Sequence, residues 1–168
     1  GELQLVWPAL ARLSAAGERI VLVAPPYVPY PQAWQNAGVD LRQLSIIQAS
    51  ERDALWAAEQ CLKSGCCGSV ILWQPFLSIA QLKRLQLCAQ DGQASLFIFR
   101  GQRQAQISLP VALSLQLSPA NQGVKVQVLK RRGGRPTAPV LVDMTARWPR
   151  LSVLPDAANS SLRLSHSA

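Results

Sequence analysis

Four short apolar runs, separated by helical patterns and brief connections, constrain this chain more than any other feature. They are Arg19–Ala24 (RIVLVA), Leu44–Gln48 (LSIIQ), Ser69–Trp73 (SVILW) and Ser95–Phe99 (SLFIF). Arg19–Ala24 is too apolar for a half-exposed strand and reads as one covered on both faces. Before it, Leu3, Val6, Leu10 and Leu13 recur at helical spacing, and Gly17 stops the helix. Pro8 falls within that pattern. It predicts a helix that starts just before it, because only the first turn has no carbonyl partner for the missing N–H. Pro31 opens a short helix through Trp34 that Gly38 ends. Ser50 reads as an N-cap with Asp53 at the third helical position; Leu55, Ala58, Glu59 and Leu62 follow at helical spacing up to Gly65. Ser78-Ile79-Ala80-Gln81 is a capping box whose helix continues through Leu82, Leu85 and Ala89 to Gly92. Strand and helix in alternation, with short links, predict an α/β domain: a mostly parallel sheet with right-handed crossovers and flanking helices.

The alternation stops after Phe99. Ala112–Leu117 (ALSLQL) and Val124–Leu129 (VKVQVL) show period-two apolarity around a turn at Pro119–Gly123. They predict an antiparallel hairpin at the edge of the sheet. Lys130-Arg131-Arg132-Gly133-Gly134-Arg135-Pro136 extends from its second strand, and Pro139–Val142 suits a last short strand. Residues 1–142 therefore read as one domain. Residues 143–168, where Pro, Ser, Asn and Arg dominate from Thr145 onward, read as a mobile tail.

Composition narrows the function. Apolar residues make up 49% of the 168 and charged residues only 15%, which suits a globular domain rather than a disordered chain. No apolar run approaches the roughly 18 residues of a membrane span, and no secretory signal stands out, so a cytoplasmic protein with no membrane partner is expected. The net charge of +8 is unevenly placed. Residues 1–99 carry seven Lys/Arg and seven Asp/Glu; residues 100–168 carry ten Lys/Arg against Asp143 and Asp156, so the whole imbalance lies there. Such a balance invites an anionic partner, nucleic acid first. Cys61, Cys66, Cys67 and Cys88 contain no Cys-x-x-Cys pair, and His166 is the single histidine. Buried reduced thiols are expected rather than a zinc site or a disulfide framework.

The chemistry-bearing motifs of a nucleotide-hydrolysing α/β core do not occur. There is no Gly-x-x-x-x-Gly-Lys-Ser/Thr and no Gly-x-Gly-x-x-Gly. Where such a core opens its first helix with Gly-Lys-Ser/Thr, this chain has Gly1-Glu2-Leu3; where the second core strand ends on a magnesium-binding Asp, it has Trp73-Gln74. Glu2 at the lysine place repels a β/γ-phosphate. Glu51 and Asp53 are the paired carboxylates on hand, and they suit the first turn of a helix. No catalytic residue, metal ligand or cofactor site is assigned. Lys125, Lys130, Arg131, Arg132 and Arg135 are the candidate DNA contacts, without an interleaved aromatic for stacking. An acidic protein is another partner for that run. Tyr27 and Tyr30 lie in Pro25-Pro26-Tyr27-Val28-Pro29-Tyr30-Pro31, at the carboxyl end of the first strand, where open α/β sheets carry functional loops. They and Trp56 are the candidate protein-binding residues. Trp7, Trp34 and Trp73 are assigned to the core.

The order of these segments resembles the core of the RecA-type recombinases from Gly1 to about Gln74. More specifically, Pro8-Ala9-Leu10-Ala11-Arg12-Leu13, Ala24-Pro25-Pro26-Tyr27, Ala54-Leu55-Trp56-Ala57-Ala58-Glu59-Gln60, Ser64-Gly65-Cys66-Cys67-Gly68 and Val128-Leu129-Lys130-Arg131-Arg132-Gly133-Gly134 resemble the SulA/ImuA family, and its ImuA branch above all. That family consists of RecA-like proteins without RecA's catalytic residues. The resemblance implies a non-catalytic accessory factor of the SOS response. In the ImuA branch its partners would be an ImuB-like polymerase adaptor, an error-prone polymerase and RecA, with single-stranded DNA nearby, in translesion synthesis. In the SulA branch the partner would be the tubulin-like FtsZ, and the outcome a block of cell division. ImuA proteins usually carry a longer N-terminal region than the one seen here.

Overall fold

A computed structural model describes residues 2–101, 111–121, 123–134 and 137–144. Its first part runs α1 (Glu2–Ala15), β1 (Arg19–Val23), α2 (Pro31–Asn36), β2 (Leu44–Ile47), α3 (Glu51–Lys63), β3 (Cys67–Trp73), α4 (Ile79–Asp91) and β4 (Ser95–Phe99). The four strands form one sheet in the order β2-β1-β3-β4, and every pair is parallel. Alternation along the strands sorts the core into two layers. Ile20, Leu22 and Ile71 meet Trp7 and Leu10 of α1 and Trp34 of α2. Val21, Val23, Val70 and Leu72 meet Ala54, Ala58 and Leu62 of α3 and Leu85 and Cys88 of α4. Because both faces are covered, β1 and β3 carry apolar residues at nearly every position rather than at alternate ones. Each such aliphatic side chain, fully buried, contributes about 1.5–3 kcal/mol.

The helix ends follow the sequence signals. Ser50 caps α3 by accepting from the Asp53 N–H, and Ser78 and Gln81 close a reciprocal capping box on α4. Gly17 turns left-handed at φ +82° after α1, and the Glu18 N–H reaches back to the Leu13 carbonyl at 3.0 Å.

Pro8 does not begin α1 as its chemistry suggests; the helix runs from Glu2 and takes Pro8 inside it. Pro8 is exposed, so the carbonyl that its ring deprives of a partner lies toward water. Burial of Trp7 and Leu10 against the sheet outweighs the local cost.

The hairpin also departs from expectation. Strands β5 (Leu113–Ala120) and β6 (Gly123–Arg131) are longer than their alternating cores, and Pro119 and Ala120 belong to β5 rather than to the turn. Pro119 fits there because β5 is an edge strand, where no ladder hydrogen bond is demanded of its outer side. The pair does not extend the parallel sheet. With β7 (Val140–Asp143) it forms a separate antiparallel sheet in the order β5-β6-β7, since β7 takes the free edge of β6. The tail from residue 145 onward, including His166, lies outside the described residues.

One buried carboxylate ties α3 to α4. Glu59 is 5% exposed and accepts from Lys63 Nζ at 2.7 Å and Arg84 Nη2 at 2.5 Å. The Lys63 hydrogen bond, joined by the Arg84 charge, holds its carboxyl below the usual glutamate range despite burial. A carboxyl lowered in the folded state stabilises fully above its unfolded pKa, about 4.3. The contribution is lost as pH falls through the lower folded value. Thermal melting is therefore expected to weaken more steeply below about pH 4.3 in the native chain than in Glu59→Gln. Parallel pH profiles for the two proteins would remove this role from Glu59.

Candidate protein-docking surface

The carboxyl end of the parallel sheet is where the chain exposes its aromatic residues. β1 does not stop abruptly: the Ala24 N–H still pairs with the Ile47 carbonyl at 2.9 Å, and Ala24 then takes φ +51°. That left-handed residue turns the chain into Pro25-Pro26, and the prolines hold the segment extended and off the ladder. Pro31 restarts the chain as α2 from its first turn. Helix α2 is only six residues long and is fixed chiefly by Trp34, 2% exposed, whose ring meets Trp7 edge-to-face at 6.0 Å and 74°. The loop is thus anchored at both ends while its middle projects. Tyr27 is 85% exposed, Val28 83% and Tyr30 64%. The Tyr30 hydroxyl donates to Gln32 Oε1, which steadies its ring.

Behind the loop lies an apolar cleft of about 230 Å³. Trp7, Trp34 and Trp73 line it from the core side, the proline loop forms one wall, and Glu2 and Leu3 of α1 contribute the other. Trp73, half-buried rather than buried as its place in the strand suggested, stacks obliquely on Phe99 at 5.3 Å. Gln74, in the place of the magnesium-binding Asp, is buried and donates from Nε2 to the Glu51 carbonyl at 3.3 Å. The chemistry of this end is aromatic and apolar, with rigid turns and few titratable groups. That combination suits a protein interface, where Tyr and Trp anchors supply contact area at low entropic cost.

Tyr27 and Tyr30 come together as the sequence suggested. Trp56 is also exposed, at 65%, but it lies on α3, which packs on the opposite face of the sheet from α2. It is no part of the same surface. Sequence reasoning missed Phe76, 70% exposed, and Ile79, 48% exposed, in the link from β3 to α4 at the same end of the sheet. Their signal was available: a Gln-Pro-Phe-Leu loop directly after a buried strand. Of the basic candidates, Lys125, Arg131 and Arg132 are exposed and Lys130 is half-buried, while Arg135 lies outside the described residues. The register places Lys125 and Lys130 on one face of the second sheet and Arg131 on the other.

The cysteines divide. Cys67 and Cys88 are buried and Cys61 is half-buried, with burial pushing the Cys61 and Cys67 thiols up. Cys66 departs from the expectation of burial. It is exposed in the turn after Gly65, where its N–H donates to Ser64 Oγ at 3.2 Å. Among the described residues, no group of three or more His, Cys, Asp or Glu side chains is placed to hold a metal ion. No described helix is long and apolar enough to cross a membrane.

The fold and this surface define an α/β domain whose exposed end is built for contact with another protein. Comparison with solved structures adds a relative. The chain is similar to SulA from Pseudomonas aeruginosa, with 33% identity and a TM-score of 0.51, over 59% of this chain and 87% of that one. It belongs to the SulA-like family. No protein-family model and no curated protein matches it.

Proposed function

We propose that this chain is a non-catalytic inhibitor of cell division of the SulA type, acting in the SOS response by docking on FtsZ through the Pro25–Pro31 loop and the aromatic cleft behind it. The likeness to SulA over 87% of that chain carries the reading. The exposed Tyr27 and Tyr30 supply the means, since an inhibitor of this kind needs a rigid anchor surface and no chemistry. The test is capture of purified FtsZ by the purified chain, together with inhibition of FtsZ assembly and filamentation of cells on expression. Failure of both capture and filamentation would sink the proposal. Turnover of ATP by the purified chain would sink its non-catalytic part.

A second reading rests on a different observation. Trp56 and Lys130–Gly134, the segments that most resemble the ImuA branch, lie apart from the proline loop, and Trp56, Arg131 and Arg132 are exposed. An ImuA-type accessory protein of translesion synthesis would meet an ImuB-like adaptor, an error-prone polymerase or RecA through such places. Capture of an ImuB-like protein, lost on Trp56→Ala and unaffected by changes at Tyr27 and Tyr30, would favour this reading over the first.

A further inference from the structure

We infer that the polar face of the β5-β6-β7 sheet is a sequence-independent binding surface for the phosphodiester backbone of duplex nucleic acid. Simple alternation along β6 groups Lys125 with Gln127 and leaves Lys130 out of step. The register shows otherwise. Ser118 pairs with Lys125, Gln116 with Gln127 and Ser114 with Lys130, while Leu115 pairs with Val128, so Leu129 is the extra residue of a bulge. The bulge restarts the alternation one residue later and brings Lys130 onto the face of Lys125. The two ammonium groups thus stem from one face, four β5 positions apart, or roughly 13 Å along the strand.

Between and beside them stand Ser114, Gln116, Ser118 and Gln127, the uncharged hydrogen-bonding side chains that accompany Lys and Arg on phosphates. The opposite face is aliphatic, with Leu115, Leu117, Val124, Val126, Val128 and Val140. Arg132, exposed in the turn after β6, adds a cation at the end of the hairpin. One acid shares the polar face: Asp143 pairs with Gly123 at the turn end, away from Lys130. The face carries no aromatic residue and one large apolar one, Leu141. It therefore lacks the central anchor of a protein interface and the stacking platform of a single-strand binder. Phosphate contacts, densest on a duplex, need neither.

The test is binding of the intact chain to a fluorescent duplex of random sequence, followed by anisotropy as salt is raised from about 50 to about 200 mM. Affinity is expected to fall linearly on logarithmic axes. The slope should flatten by about 1.8 in Lys125→Gln/Lys130→Gln, two phosphates at about 0.9 each. If the half-buried Lys130 proves necessary for folding, shown by a lowered melting temperature, Lys125→Gln alone should flatten it by about 0.9. An unchanged slope in the variants, or no binding at the lowest salt, overturns the inference. Tighter binding of polyglutamate than of the duplex at equal salt also overturns it and assigns the face to an acidic protein. Tighter binding of a single strand than of the duplex overturns the choice of duplex.

Discussion

Replacing Tyr27 and Tyr30 together with alanine is expected to reduce FtsZ binding by roughly three orders of magnitude while the fold stays intact. Both rings stand in water in the free chain, so their removal opens no core cavity. The one side-chain hydrogen bond between them and the rest of the loop is that of the Tyr30 hydroxyl to Gln32. The loop backbone is held instead by Ala24, by the four prolines and by α2, none of which the substitutions touch. Buried aromatic anchors in interfaces are each worth about 2 kcal/mol or more on truncation. Two together, even with imperfect additivity, come to about 4 kcal/mol, or roughly 10³-fold in affinity. Calorimetric titration reads the loss, and an unchanged melting temperature shows that folding is not its cause. Trp56→Ala, on the other helical layer, should leave FtsZ affinity within a few-fold. Equal loss from Trp56→Ala, or full binding by the tyrosine variant, would move the docking surface elsewhere.

Trp34→Ala is expected to be the most damaging single change to the fold. Trp34 is the one fully buried side chain of a six-residue helix too short to persist alone. Its ring meets Trp7 edge-to-face and closes the layer of Ile20, Leu22 and Ile71. Truncation leaves a large apolar cavity and costs about 3–5 kcal/mol, against a total stability of about 5–15 kcal/mol for a domain of this kind. Urea unfolding should show a midpoint lowered by that amount. Because Trp34 also anchors the end of the proline loop, the surviving folded fraction should bind FtsZ more weakly. A loss below about 1 kcal/mol would mean that α2 is held by something other than this ring.

The four parallel strands, their order in the chain and nearly every helix end could be read from the sequence. Both faces of that sheet are buried, so the strands are continuous apolar runs, and the caps at Ser50 and Ser78 and the stops at Gly17, Gly38 and Gly65 act locally. Tyr27 and Tyr30 were legible as a surface for the same reason: prolines on both sides leave no regular structure to bury them. Trp56 was not decidable. A tryptophan on an amphipathic helix faces core or water according to which neighbours the sheet supplies, and here Ala54, Ala57, Ala58 and Leu62 fill the inward side.

Local chemistry, then, determined the elements of this protein and the loop that marks its working end. Tertiary structure decided what local chemistry leaves degenerate. It kept Pro8 within a helix, because burial of Trp7 and Leu10 outweighs a missing hydrogen bond at an exposed turn. It took the hairpin out of the parallel sheet, because β7 completes a sheet of its own. It also set Lys130 beside Lys125, because a one-residue bulge, invisible in a period-two pattern, reverses every side chain that follows it.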